Sequence, residues 1–148
     1  MTRYRFGLPW WAILLLAALS LPRVVVHDLD VDTGAWGPAL LAIGPMLVWV
    51  GVALWARVPS PVTTLLVVGT VYGIGLGIGH NLMWDSLLAE DPRLGGSWEG
   101  RLPRQAEEVI MRIVTVGSSV VTGAVVGLVS GLVATGLRRL GRSARSRR

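Results

Sequence analysis

Four segments of the chain stay free of strongly polar positions for long enough to cross a hydrocarbon core: about 9–26, 38–56, 61–83 and 109–137. A helix rises 1.5 Å per residue, so roughly twenty apolar residues cover a core of about 30 Å. The Val-rich runs lack the polar alternation of membrane strands and are too long for them, which excludes a β-barrel. No repeat with a period of about 20 to 50 residues is present, so a solenoid is excluded too. The pattern predicts an all-α integral membrane four-helix bundle, up-down-up-down, as one membrane domain covering 1–148.

The segments differ in quality. The first centres on "WWAILLLAALSL" and is interrupted near its far end by Pro22 and Arg23. Its rival reading is a cleaved signal peptide, with "TRYRF" as the basic region and Ala18, Leu19 and Ser20 as the small-residue cleavage site. Pro45 falls near the middle of the second, where its missing amide predicts a kink or a packing contact. The fourth is predicted to start before its apolar run, because Pro103 suits a first helical turn and Glu107 and Glu108 suit the positive end of the helix dipole. An outer loop of 85–102 and a basic tail of 138–148 complete the layout.

Arginine placement sets the expected orientation, since positive residues near span ends stay on the cytoplasmic side. With both termini cytoplasmic, Arg3, Arg5, Arg57 and the tail arginines Arg138, Arg139, Arg142, Arg145, Arg147 and Arg148 lie inside. All nine acidic residues then lie outside, so both signs of charge favour one topology. The tail is read as a topology determinant that attracts anionic lipid, at about 1 kcal/mol per arginine near the surface, and not as a nucleic-acid arm.

Composition agrees with the pattern: of 148 residues, 52% are hydrophobic and only 16% charged. There are no cysteines, which removes disulfides, thiolate nucleophiles and cysteine-ligated clusters. All fourteen basic residues are arginine, so Schiff-base, Walker and Ser-x-x-Lys lysines are absent. The bias toward Arg, Ala, Gly, Val and Pro is that of a GC-rich bacterial genome, and the expected location is a bacterial inner membrane. Trp10, Trp11, Trp36, Trp55 and Trp84 fall near span ends, where amphipathic rings anchor at the interface, while Trp98 lies in the outer loop.

The most distinctive stretch is "YGIGLGIGHN", residues 72–81. A dinucleotide loop needs glycines at offsets zero, two and five after a strand, and from Gly73 the third position is Ile78. On a helix, Gly69, Gly73 and Gly77 form one small-residue stripe and Gly75 and Gly79 another. The fourth segment repeats the motif at intervals of four with Ser119, Gly123, Gly127, Gly131 and Thr135. Such stripes let helix backbones approach closely in lipid, so pairing of the third and fourth helices, within one chain or across a homo-oligomer, is expected.

Catalytic motifs are absent: "GGSWEG" misses G-x-S-x-G and no H-E-x-x-H occurs. "DLDVDTG" departs from a calcium loop at its sixth and twelfth positions, Thr33 and Ala39. The leading expectation is a non-enzymatic structural or accessory membrane protein without a cofactor, acting through helix contacts with itself or a partner membrane protein. One alternative is a metal or haem site on the outward side, with His80, His27, Asp85 and Asp28 as ligands. Another is a channel or transporter subunit with Tyr72, His80 and Asn81 along its path.

Overall fold

A computed structural model describes residues 6–23, 26, 34–84, 94–98 and 100–146. Among them the chain is all-helical, with α1 at Trp10–Ala18, α2 at Gly37–Trp55, α3 at Pro61–Leu82 and α4 at Arg104–Ser146. A short 3-10 turn covers Gly96–Trp98. Three of the four helices, α2, α3 and α4, are long and apolar enough to cross a membrane.

The first segment is not one continuous helix over 9–26. Helix α1 stops at Ala18, a turn covers 19–21, and nine residues at 1.5 Å each reach only about 14 Å. Pro22 is the physical reason, because its ring disfavours helical geometry at the residue before it. At the other end of the chain, α4 extends beyond the expected 109–137 in both directions and carries the basic tail as helix through Ser146. Pro103 stands just outside that helix, and its carbonyl accepts the Ala106 and Glu107 amides.

Helix α3 forms despite its glycines, each of which costs about 1 kcal/mol against alanine in a helix. In apolar surroundings an unsatisfied amide costs several kcal/mol, so the hydrogen-bonded helix prevails. Pro61 opens it, where a missing N–H does no harm, with Ser60 as the capping residue. Thr70, Ser130 and Thr135 return their hydroxyls to the carbonyls of Leu66, Val126 and Gly131 at 2.8 Å, which keeps these polar groups satisfied within apolar helices.

Helix α2 ends in a Schellman arrangement: the Val58 amide donates to the Ala53 carbonyl and the Arg57 amide to the Leu54 carbonyl, both at 3.2 Å. Arg57 takes the left-handed position, φ 50°, that such a cap requires. The turn it makes buries Val58 completely. Arg138 of α4 donates to the Val58 carbonyl at 2.8 Å, and the Thr64 hydroxyl donates to the Phe6 carbonyl at 2.6 Å. Gly7 adopts φ +75° against this turn, where a Cβ would stand 2.5 Å from Pro59 Cδ. One end of the molecule is thus tied together from the amino-terminal segment, the α2–α3 turn and the far part of α4.

Candidate functional site

The most extensive helix contact joins α3 and α4. A Cβ added to Gly69 would overlap the Gly123 carbonyl oxygen and lie 2.7 Å from Gly127 Cα. One on Gly73 would lie 2.6 Å from the Ser119 carbonyl oxygen and 2.8 Å from Val120 Cα, and one on Gly77 3.1 Å from Val116 Cα. From the opposite helix, Gly123 meets Gly69 and Gly73, Gly127 meets Leu65 and Gly69, and Gly131 meets Val62. Positions rising along α3 meet positions falling along α4, so the pair is antiparallel and in register at intervals of four. Every atom that blocks a Cβ at Gly69, Gly73, Gly123 and Gly127 belongs to backbone, which is why only glycine fits there.

The other glycines have different neighbours. Gly75 faces away from α4, toward Leu21, whose Cδ2 would be 3.2 Å from an added Cβ. Gly79 is partly buried, and its carbonyl accepts the Met83 amide at 3.0 Å. Among the described residues, nothing stands within 4 Å of a Cβ at Gly44, Gly51, Gly117 or Gly136.

Helices α1 and α2 attach to this pair through Trp49. Its side chain is fully buried, its indole N–H donates to the Leu16 carbonyl at 2.8 Å, and its ring meets Tyr72 edge-on at 6.0 Å. Beside Tyr72, a cavity of about 300 Å³ opens between α1 and α3, walled by Leu14, Ala17, Leu21, Val71, Tyr72 and Gly75. Neither His80 nor Asn81 borders it, so the three polar residues expected along a transport path do not share this space.

At the far end of α3 the Asn81 side chain donates to its own helix, to the Gly77 carbonyl at 2.9 Å. Arg112 of α4 joins the two helices there. Its guanidinium donates to the Asn81 carbonyl at 3.3 Å, pairs with Glu108 at 2.8 Å and lies 5.0 Å from the centre of the Trp84 ring. The Glu108 pair is half-exposed and worth little, whereas the Trp84 and carbonyl contacts hold α3 to α4. Arg112→Ala is expected to lower stability by about 1 kcal/mol and Glu108→Ala by about a third of that, read from reversible unfolding in mixed micelles followed by helicity.

His80 sits half-buried in the last turn of α3. The other expected metal ligands, His27, Asp28 and Asp85, lie outside the described residues. Among the described residues no three His, Asp or Glu side chains converge to hold a metal ion. Glu107, on the first turn of α4, is 3% exposed, and among the described residues its Oε1 has no hydrogen-bond partner. Of the tail arginines, Arg138 is bound to Val58, Arg139 and Arg142 are exposed on α4, Arg145 lies within α4, and Arg147 and Arg148 are outside the described residues.

Trp10, Trp11, Trp36, Trp55 and Trp98 are all well exposed, and Trp84 is half-buried under Arg112. Trp49 is the residue that reasoning from the sequence passed over. Its signal was position: it lies six residues inside the end of α2, deeper than an interfacial anchor needs. Of the groups that Arg112 meets, Glu108 is one turn away on α4, whereas the Asn81 carbonyl and the Trp84 ring are distant in the chain and become its neighbours only in the fold. In comparison with known proteins, the chain matches no family model and shows no significant similarity to a characterised protein or a solved structure.

Proposed function

We propose that this chain is a small multi-pass membrane protein of structural or accessory type, built on the α3–α4 glycine contact and performing no catalysis of its own. The observation that carries the reading is the combination of three apolar, span-length helices with large side chains turned outward. Leu40, Ile43 and Leu47 on α2 and Ile113, Val121, Val125 and Leu132 on α4 are all more than half exposed. Contiguous apolar surface on this scale is rare on soluble monomers and is what lipid solvates. The proposed site is a bacterial inner membrane with both termini cytoplasmic and the 85–102 loop outside. There the arginines of the α4 extension meet anionic headgroups. Its partners are lipid and either a second copy of the chain or another membrane protein.

Because the chain has no cysteine, single cysteines report topology without background. Gly95→Cys is expected to react with an impermeant maleimide in spheroplasts, and Ser143→Cys only after lysis. Reaction of both from one side, or release of the protein by carbonate washing, overturns the reading. Solute flux in vesicles of phosphatidylglycerol and phosphatidylcholine, abolished by Tyr72→Phe or His80→Ala in a protein that still folds, would replace the accessory role by transport.

A further inference from the structure

The first segment has two readings in the sequence, a membrane helix or a signal peptide cut after Ser20, and they differ in what the folded protein does with residues 6–20. A segment destined for removal has no place in the core. Four of the twelve buried hydrophobic residues among those described, Leu8, Ile13, Leu16 and Ala17, come from it, against one, Ala134, from the much longer α4. Burial is also one-sided. Ile13, Leu16 and Ala17, at the i, i+3 and i+4 spacing of one helix face, are buried, while Trp10, Trp11, Leu14 and Leu15 are more than half exposed. Since both sides are apolar, the buried side is selected by its neighbours, α2 and α3.

The contacts run the length of the segment. The Phe6 carbonyl accepts the Thr64 hydroxyl at 2.6 Å and Leu21 lies over Gly75, so the segment follows α3 in the same direction for about 16 Å. In between, the Leu16 carbonyl accepts the Trp49 indole N–H at 2.8 Å. The two hydrogen bonds differ in what their loss would do. Thr64 has a second acceptor in the Ser60 carbonyl at 2.9 Å, but Trp49 has none among the described residues. It stands about 9 Å inside the end of α2, deeper than the interfacial belt where indoles reach water. Loss of residues up to Ser20 would leave it facing hydrocarbon with an unsatisfied donor. The bond after Ser20 is itself closed off: Ser20 is buried, and the Ser20 and Leu21 amides donate to the Ala17 and Ala18 carbonyls at 3.2 and 3.0 Å. Hydrolysis needs a hydrated, accessible backbone, and this one is turned inward at the level of Gly75, roughly 10 Å short of the end of α3.

We propose that the first segment stays in the mature protein with the bond after Ser20 intact, as a strap docked on α3 that holds Trp49 of α2 in place. Tyr72 meets the Trp49 ring edge-on from α3, and the strap satisfies the polar edge of the indole, so both parts of the side chain are held. The inference goes beyond the accessory role and is independent of the partner the protein meets. It draws on the bilayer reading only for the cost of an unpaired indole N–H.

The test reads the amino terminus of the full chain, expressed in a bacterial host with nothing added before Met1 and extracted from membranes. Intact-mass spectrometry and amino-terminal sequencing should give the whole chain, starting at Met1 or Thr2. A start at Leu21, or anywhere beyond Leu16, overturns the proposal. Docking is read separately with single cysteines in this cysteine-free chain. In the same micelles, a membrane-permeant maleimide should label Ile13→Cys at least about tenfold more slowly than Leu14→Cys, which lies one residue away on the exposed side. Ala17→Cys, buried on the same face, replaces Ile13→Cys if that variant does not fold. Equal rates on the two sides, in an uncut chain that keeps its helicity, overturn the strap. An uncut chain released from membranes by carbonate overturns the bilayer reading and leaves the retained segment standing, so the two failures are distinguishable.

Discussion

Gly69→Ala or Gly123→Ala is expected to destabilise the fold by about 3 kcal/mol, a large effect for a single methyl group. In a side-chain core, overpacking is relieved by changes of rotamer. Here the obstructing atoms are the Gly123 carbonyl oxygen and Gly127 Cα on one side and the Gly69 carbonyl oxygen and Gly73 Cα on the other. The helices must separate, and dispersion contacts along their whole shared length weaken together. Helix propensity acts in the opposite sense, since alanine is better than glycine by up to about 1 kcal/mol, so the measured loss is a net value. Gly44→Ala and Gly117→Ala supply the controls: with open space around them they should be neutral or slightly stabilising. Reversible unfolding in mixed micelles, read by far-ultraviolet circular dichroism, decides the matter. Equal stability across the four variants would mean that α3 and α4 do not pack through these glycines.

Trp49→Ala is expected to cost a similar amount, about 3 kcal/mol, through a different mechanism. The substitution empties a fully buried site, removes the edge-on contact with Tyr72 and leaves the Leu16 carbonyl without its donor. The figure lies at the low end for a buried aromatic residue, because in the bilayer proposed for this chain the lost packing is not accompanied by exposure to water. Trp49→Phe separates the terms: it retains most of the ring volume and should lose about 1 kcal/mol with the hydrogen bond. Because α1 is short and Trp49 joins it to α2, the consequence should be local. A cysteine placed at Ile13, fully buried in the native chain, should become reactive in Trp49→Ala and remain protected in Trp49→Phe. Continued protection of Ile13→Cys in both variants would show that α1 is held by its contact with α3 instead.

Much of the layout was legible because apolar runs of span length have few alternatives. The bounds of α2 and α3 lie within one residue of those the pattern predicts. The ends of the chain were harder. The first segment breaks at Ala18 because Pro22 outweighs apolar content in the residues before it, and a hydropathy pattern has no term for that. Helix α4 continues past its last apolar residue because an arginine-rich segment already joined to a helix propagates it at little cost, whereas apolarity marks only the part that lipid can solvate.

The candidate site shows the same division at finer scale. Alternating glycines presented at least two helix faces, and the spacing of four singled out Gly69, Gly73 and Gly77 as one surface. That this surface meets Gly123 and Gly127 backbone to backbone, and that Gly75 looks instead toward Leu21 and an open groove, depends on where α1 and α4 lie. The roles of Trp49 toward Leu16 and of Arg112 toward Asn81 and Trp84 are likewise contacts between segments distant in the chain, with no local signature.

The sequence by itself determined the all-helical class, three of the four expected span-length helices, the absence of lysine and cysteine chemistry and the small-residue stripes. Each is a property of a residue or of its neighbours within a few turns, and the periodicity of the helix projects it directly from the order of residues. Only the tertiary structure decided which stripe pairs with which, where Trp49 ties α1 to α2, and where Gly75 leaves a groove beside Leu21. Those depend on the relative placement of helices, which is set by summed van der Waals contact between surfaces that no single segment contains.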